Sequence, residues 1–127
     1  MAILRRNKIF HYIKRMYVNI TKLTRQGKKM MYVNITKSTR QGKKMMIEFY
    51  DEERKKVHTT HFGKRGKKTY IDHQKLQKKL YYIMTHHRDG WQFFMTPKAL
   101  NYWFFWNKRT LRDSIEKYMS EFKLTKY

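Results

Sequence analysis

The 127-residue chain carries 31 Lys or Arg residues against nine Asp or Glu residues, which gives a formal net charge of +22. Copies with this charge repel one another, so we expect an acidic partner: nucleic acid, anionic lipid or an acidic protein surface. The absence of cysteine excludes disulfides and thiolate metal sites. No run of about 18 uncharged apolar residues could span a bilayer, and the first ten residues lack the apolar run of a secretory signal. Aromatic residues make up 17% of the chain, which suits the core of a single domain.

The positive charge is distributed unevenly along the chain. Residues 1–47 contain 13 Lys or Arg residues and no Asp or Glu, whereas residues 48–127 contain 18 basic and nine acidic residues. Uncompensated blocks of like charge are typical of interaction tails. The pattern therefore predicts a basic N-terminal arm followed by a more balanced body.

A tandem repeat occupies part of this basic region. Residues 16–30 and 31–45 are identical except that Leu23 in the first copy corresponds to Ser38 in the second. Each copy predicts a short β-branched strand followed by a basic turn that contains glycine, and two copies are too few for a solenoid. Either a recent duplication or an error in the sequence could produce such a pair. We expect only the second copy to join a sheet, which divides the chain into an arm, residues 1–30, and a compact domain, residues 31–127.

Three strands are predicted in the first half of that domain. Residues 32–36 are rich in β-branched side chains. Residues 45–50 place Ile47 and Phe49 on one face with Glu48 on the other, and residues 56–62 return after a polar turn. Short polar turns join antiparallel neighbours. The expected sheet is therefore a small three-stranded antiparallel meander.

The second half is predicted to be helical. Helix-start patterns occur at three positions: Thr69 with Asp72, Thr96 before Pro97, and Thr110 with Asp113. Apolar residues at helical spacing predict a buried face on the first and third helices, and the second runs to about residue 107. The predicted buried residues of the first and third helices are Leu76, Leu80, Ile83, Met84, His87, Leu111, Ile115, Tyr118, Met119 and Phe122. The predicted fold class is α+β: a three-stranded antiparallel sheet, then about three amphipathic helices.

The segment that joins the two halves, residues 61–73, is rich in cations. Gly63 and Gly66 bracket Lys64 and Arg65, and glycine allows a backbone to approach a ligand closely. Clustered Lys and Arg are typical of a surface that binds phosphates or acidic groups, although a solvated connector gives the same pattern. The residues predicted to bind a polyanion or an acidic partner are Arg5, Arg6, Lys28, Lys29, Lys43, Lys44, Lys64, Arg65, Lys67, Lys68, Lys75, Lys78 and Lys79.

Catalytic and metal-binding patterns are weak in this sequence. His58 and His61 stand three apart on a predicted strand and so point to opposite faces, which disfavours a shared metal ion. No serine lies in a nucleophile motif, and neither glycine pair completes a phosphate-binding loop. We therefore expect no enzyme activity and no cofactor. Most aromatic residues near residues 91–106 are expected in the core, with Phe105 as a candidate for an exposed partner contact.

From Tyr32 onward the order of sequence features resembles that of a known protein family. The matching features are Gly42-Lys43-Lys44, residues 56–63 with Gly66, Tyr70 with His73, the Lys-rich helix to His87, Trp91, Ala99-Leu100, residues 106–108 and residues 114–124. This order resembles small basic virion proteins of large icosahedral DNA viruses of algae and amoebae, relatives of phycodnaviruses and mimiviruses. The chain departs from that family at residues 96–101, where Thr-Pro-Lys-Ala-Leu-Asn replaces Thr-Ala-Gly-Ala-Leu-Ser. The resemblance implies a structural virion component without catalytic residues.

Two functions follow as expectations. The first is a minor capsid protein whose basic surfaces bind neighbouring capsid proteins or the inner membrane surface; it would be made in the host cytoplasm and reside in the virion. The alternative is a DNA-binding protein without sequence specificity that neutralises the viral genome, with a strongly salt-dependent affinity.

Overall fold

The structure, a computed structural model, describes residues 30–86 and 88–127, so nearly all of the predicted arm lies outside the described residues. Its elements in chain order are β1 (Met31–Lys37), β2 (Lys43–Tyr50), β3 (Lys56–Lys64), α1 (Tyr70–His73), α2 (Leu76–His86), α3 (Pro97–Asn101), a π-helical turn (Tyr102–Trp106), α4 (Leu111–Glu121) and β4 (Leu124–Lys126). In the described part of the chain, no helix is both long and apolar enough to cross a membrane.

The sheet has the strand order β3-β2-β1-β4. Strand β2 pairs antiparallel with β1 and with β3, and Val33 lies opposite Phe49 in the first pairing. Alternate residues point to one face, so Met31, Val33, Ile47, Phe49 and Phe62 are buried under the helices. The opposite face carries polar pairs, such as the hydrogen bond that Asn34 donates to Glu48.

The predicted three-stranded antiparallel sheet is wrong, because a fourth strand makes the sheet mixed. Strand β4 pairs parallel with β1, with Leu124 opposite Met31, and Tyr127 N donates to Val33 O at 2.9 Å. The strand is only three residues long, so it offers no alternation that the sequence could reveal. It covers the edge of β1 and buries Leu124.

The number of helices also differs from the prediction, because the described residues contain four α-helices and a π-helical turn in place of about three. The first predicted helix breaks after His73, because Gln74 adopts the left-handed conformation with φ 54°. The second predicted helix changes type after Asn101 and continues as the π-helical turn. The predicted helix starts are present: Thr96 accepts from Ala99 N, and Thr110 accepts from Asp113 N.

Aromatic rings fill the space between the sheet and the helices. Phe62 packs edge-on against Phe104, and Phe104 packs edge-on against Tyr118, whose hydroxyl donates to Phe94 O at 2.6 Å. The prediction that Phe105 is exposed is wrong: its side chain is 3% exposed and packs on Phe62. A π-helical turn places residues at different angles from an α-helix, so consecutive aromatic residues become buried there.

The predicted buried face of α2 is also wrong. Tyr82 is the buried residue of this helix, and its ring stacks on Trp106 at 4.4 Å. Ile83 is half-buried, but the other apolar residues of the predicted stripe that can be described, Leu76, Leu80 and Met84, are exposed. The aromatic stack with Trp106 determines which way the helix faces, so the aliphatic stripe points outward.

Candidate polyanion-binding surface

Two glycine turns meet at one end of the sheet. The turn between β1 and β2 contains Gly42, and the segment after β3 contains Gly66; both have a φ of 83°. Arg65 N donates to Gly42 O at 3.0 Å, and Arg65 Nε donates to Lys43 O at 3.2 Å. These bonds hold the two turns side by side, although 22 residues or more separate them in sequence.

This meeting of turns brings seven cations to the same end of the sheet. Lys43 and Lys64 are directly opposite each other in the pairing of β2 with β3. We call the resulting surface the basic sheet end; it consists of Arg40, Lys43, Lys44, Lys64, Arg65, Lys67 and Lys68, of which all but the half-buried Lys43 and Lys44 are exposed. The acidic residues of the β2–β3 turn, residues 51–53, lie at the opposite end of the sheet. They therefore do not neutralise the basic sheet end.

Lys44 connects this surface to the core. Its Nζ donates to Lys67 O at 2.5 Å and lies 5.0 Å from the centre of the Phe105 ring. Burial lowers the pKa of Lys44; Asp72 raises it, while Lys67 and Lys68 lower it further, and the net shift is downward. Lys44 thus fixes the position of the turn as well as contributing charge.

Asp72 is the carboxylate that acts on this group of cations. It accepts hydrogen bonds from Thr69 N at 2.7 Å and Thr69 Oγ1 at 3.1 Å, which fixes the start of α1. Burial raises the pKa of Asp72, but the bonds from Thr69 and the charges of Lys44 and Lys68 outweigh burial and leave the pKa lowered. The single negative charge of Asp72 is small compared with the seven cations of the basic sheet end, so this surface remains strongly positive.

The predicted cations of the helical half lie on helix α2 or just before it and are not part of the basic sheet end as defined. Lys79 is half-buried: its Nζ donates to Asn107 O at 2.6 Å and lies 5.1 Å from the centre of the Tyr70 ring, so it holds α2 against the body. Burial, and then Lys108, lower its pKa. Lys75 and Lys78 are exposed at the start of α2. The remaining predicted cations, Arg5, Arg6, Lys28 and Lys29, lie outside the described residues.

Sequence reasoning missed one cation of the basic sheet end and one contact beside it. Arg40 lies in the Gly42 turn, where its carbonyl accepts from Lys43 N, and its position in the repeated basic turn was the available signal. Ser38 Oγ lies 2.7 Å from His61 Nδ1 and accepts from Arg40 N at 3.0 Å. No sequence pattern indicated this contact, because its two side chains are 23 residues apart.

His58 and His61 serve packing and hydrogen bonding in this fold. His61 contacts Ser38, and the ring of His58 lies 6.3 Å from that of Phe49. Burial lowers the pKa of His58, which favours its neutral form. Among residues 30–86 and 88–127, no group of three or more potential metal-ligating side chains occurs.

One family model matches this chain. It is that of a family of unknown function (DUF5754), and the match covers residues 33–86, less than half of the chain. The matched segment contains β1 from Val33 onward, all of β2 and β3, the basic sheet end, and helices α1 and α2. No curated protein and no solved structure matches. These comparisons assign no activity to the basic sheet end.

Proposed function

We propose that the protein is a non-enzymatic structural component of a large DNA virus particle, a minor capsid protein whose basic sheet end binds acidic surfaces of neighbouring capsid proteins. The observation that carries the binding role is the convergence of seven cations from two separate turns, held by backbone bonds between Arg65 and Gly42. The placement in a virion is supported by the sequence resemblance described above.

The energetics favour a surface that acts through many contacts at once. A single exposed ion pair contributes about 0–1 kcal/mol. Several cations on a fixed framework gain more together, because the folded turns have already paid the conformational cost of placing them. Binding of this kind weakens as salt screens the charges.

Charge-matched variants test whether the basic sheet end is the binding surface. The test variant replaces Lys64, Arg65 and Lys67 with Gln, and the control replaces the exposed cations Lys98, Arg109 and Lys126 with Gln. Each variant loses three positive charges, so net charge alone cannot distinguish them. We expect the test variant to elute from a polyglutamate column at markedly lower salt than the control. Equal elution would refute a specific role for the basic sheet end.

A second experiment tests the location and separates the two candidate functions. If the protein is a capsid component, particles emptied of DNA should retain it in stoichiometric, symmetry-ordered amounts. Release together with the genome, and protection of DNA from nuclease, would instead establish the DNA-binding alternative, which the same cations favour. Absence from purified particles would refute both.

A further inference from the structure

In the described part of the chain, the outer face of helix α2 is apolar and exposed. Four of its side chains are more than half exposed: Leu76 (58%), Leu80 (54%), Tyr81 (66%) and Met84 (72%). They include the three most exposed large hydrophobic side chains in the described part of the chain. Isolated exposed apolar residues are ordinary, but a contiguous group marks an interaction surface. We call these four residues the α2 outer face.

The geometry of the helix makes these residues one surface. At 100° per residue, Leu76, Leu80 and Met84 fall within an arc of about 80°. Tyr81 lies about 60° further round, with the exposed Gln77 between it and Met84. The opposite side of the helix is fixed to the body by the stacking of Tyr82 on Trp106, with an interplanar angle of 3°. Helix α2 therefore lies along the body and presents an apolar stripe about 12 Å long, from Leu76 to Met84.

Cations accompany the stripe, and acidic residues are absent from this segment. Residues 74–88 contain no Asp or Glu, while Lys75 precedes the helix and Lys78 lies beside Tyr81 on the helical wheel. Both lysines are exposed. Charge complementarity therefore selects an anionic partner and disfavours a second copy of this chain, whose net charge is also +22.

The size of the stripe bears on the kind of anionic partner. Four side chains with these exposed fractions form a patch on the order of 500 Å², within the range of functional surface patches. A stable protein interface buries about 800 Å² on each partner, so this patch alone is small for that purpose. An apolar face that is flanked by a lysine next to Tyr81 and preceded by a second lysine is, however, typical of a helix that lies in a membrane interface and combines apolar insertion with attraction to anionic lipid.

We propose that the α2 outer face binds the surface of an anionic lipid bilayer, with Leu76, Leu80 and Met84 entering the headgroup boundary and Lys75 and Lys78 contacting lipid phosphates and carboxylates. This inference does not rest on the function proposed for the basic sheet end, because the two surfaces share no residue. It names a second site, on a different element of the fold.

Vesicle binding by the full chain tests the proposal. The probes are vesicles of phosphatidylcholine with about 30% phosphatidylserine, and vesicles of phosphatidylcholine alone. We expect the wild type to sediment with the anionic vesicles, and the exposed-surface variant Leu80→Gln/Met84→Gln to bind them at least tenfold more weakly. The control Val57→Gln removes an exposed apolar residue of β3 and should bind within twofold of the wild type. No binding to anionic vesicles, or equal binding by wild type and the double variant, would overturn the proposal.

Insertion is measured independently with a single fluorescent label. The chain contains no cysteine, so Met84→Cys and Val57→Cys each provide a unique attachment site for an environment-sensitive dye. On anionic vesicles we expect a blue shift for the label at position 84 and none at position 57. Equal shifts, or no shift at position 84, would overturn the proposal. It would also be overturned by a wild-type dimer that the double variant abolishes, or by a glutamate-flanked amphipathic peptide that binds this face more tightly than the vesicles do.

Discussion

The packing of Gly63 offers a sharp test of how the basic sheet end is held in place. A Cβ atom at Gly63 would lie 2.8 Å from Phe105 Cε2 and 2.9 Å from Lys44 Cβ, closer than carbon atoms ordinarily approach. At Gly66, where the φ is +83° compared with +80° at Gly63, an added Cβ would meet nothing within 4 Å. The substitutions Gly63→Ala and Gly66→Ala therefore impose the same backbone strain but differ in steric overlap.

The expected magnitudes follow from this difference. A left-handed conformation costs a residue with a Cβ about 1–2 kcal/mol, and both variants should lose about that much. Gly63→Ala should lose a further 1–3 kcal/mol or so through overpacking against the buried Phe105 ring. It also displaces Lys44, so we expect weaker binding to polyglutamate for Gly63→Ala than for Gly66→Ala.

Urea denaturation followed by tryptophan fluorescence measures these losses, with Gly42→Ala as a second control because its surroundings are also open. The expected order of stability is wild type, then the two open-site variants together, then Gly63→Ala. Equal stability of Gly63→Ala and Gly66→Ala would refute the close contact between Gly63 and Phe105, and with it the account of how Lys44 is positioned.

Four further predictions concern the core, the sheet and the arm. Phe104→Ala should cost about 3–5 kcal/mol, measured by denaturation, because the ring is 0% exposed; unchanged stability would contradict this. Glu48 contacts Lys56 at 2.6 Å, and the hydrogen bond from Lys56 lowers the pKa of Glu48 although burial opposes it. Its stabilising contribution is therefore present above its ordinary pKa of 4.5 and is lost as pH falls below it, so the wild type should lose more stability on acidification than Glu48→Gln. The protein without residues 1–30 should still unfold in a cooperative thermal transition. Loss of that transition would show that the arm is needed for folding. Ser38→Leu should lower the free energy of unfolding by about 2–4 kcal/mol, because His61 Nδ1 and Arg40 N lose the Ser38 hydroxyl as their partner. Unchanged stability in denaturation would contradict that role.

The three antiparallel strands were predictable because their residues alternate between buried and exposed faces. Ile47 and Phe49 carry the pattern, and both are fully buried. Helix starts were predictable for a similar reason, since Thr110 and Asp113 form a contact that depends only on local spacing. Strand β4 was missed because it forms through pairing with β1, which is distant in sequence.

The orientation of α2 could not be predicted from periodicity. Leu76, Leu80 and Met84 satisfy the spacing of a buried helical face, but Tyr82 provides a larger ring that stacks on Trp106. Two faces of one helix were thus able to pack, and only the tertiary position of Trp106 decides between them. At the basic sheet end, six of the seven cations were recognised individually and Arg40 was missed, whereas the meeting of the two turns depends on the pairing of Lys43 with Lys64.

The repeat raises the question of which copy of the strand belongs in the sheet. The strand sequence Met-Tyr-Val-Asn-Ile-Thr-Lys is the same in both copies, so the strand residues themselves give no preference. The difference between Leu23 and Ser38 does: Ser38 is buried and accepts from Arg40 N beside His61, which a leucine cannot do. Use of the first copy would also lengthen the connection to β2 from five residues to twenty, at an entropic cost of about 1.2 kcal/mol. Both effects favour the second copy, so the single residue that distinguishes the repeats is also one that stabilises the observed register next to the basic sheet end.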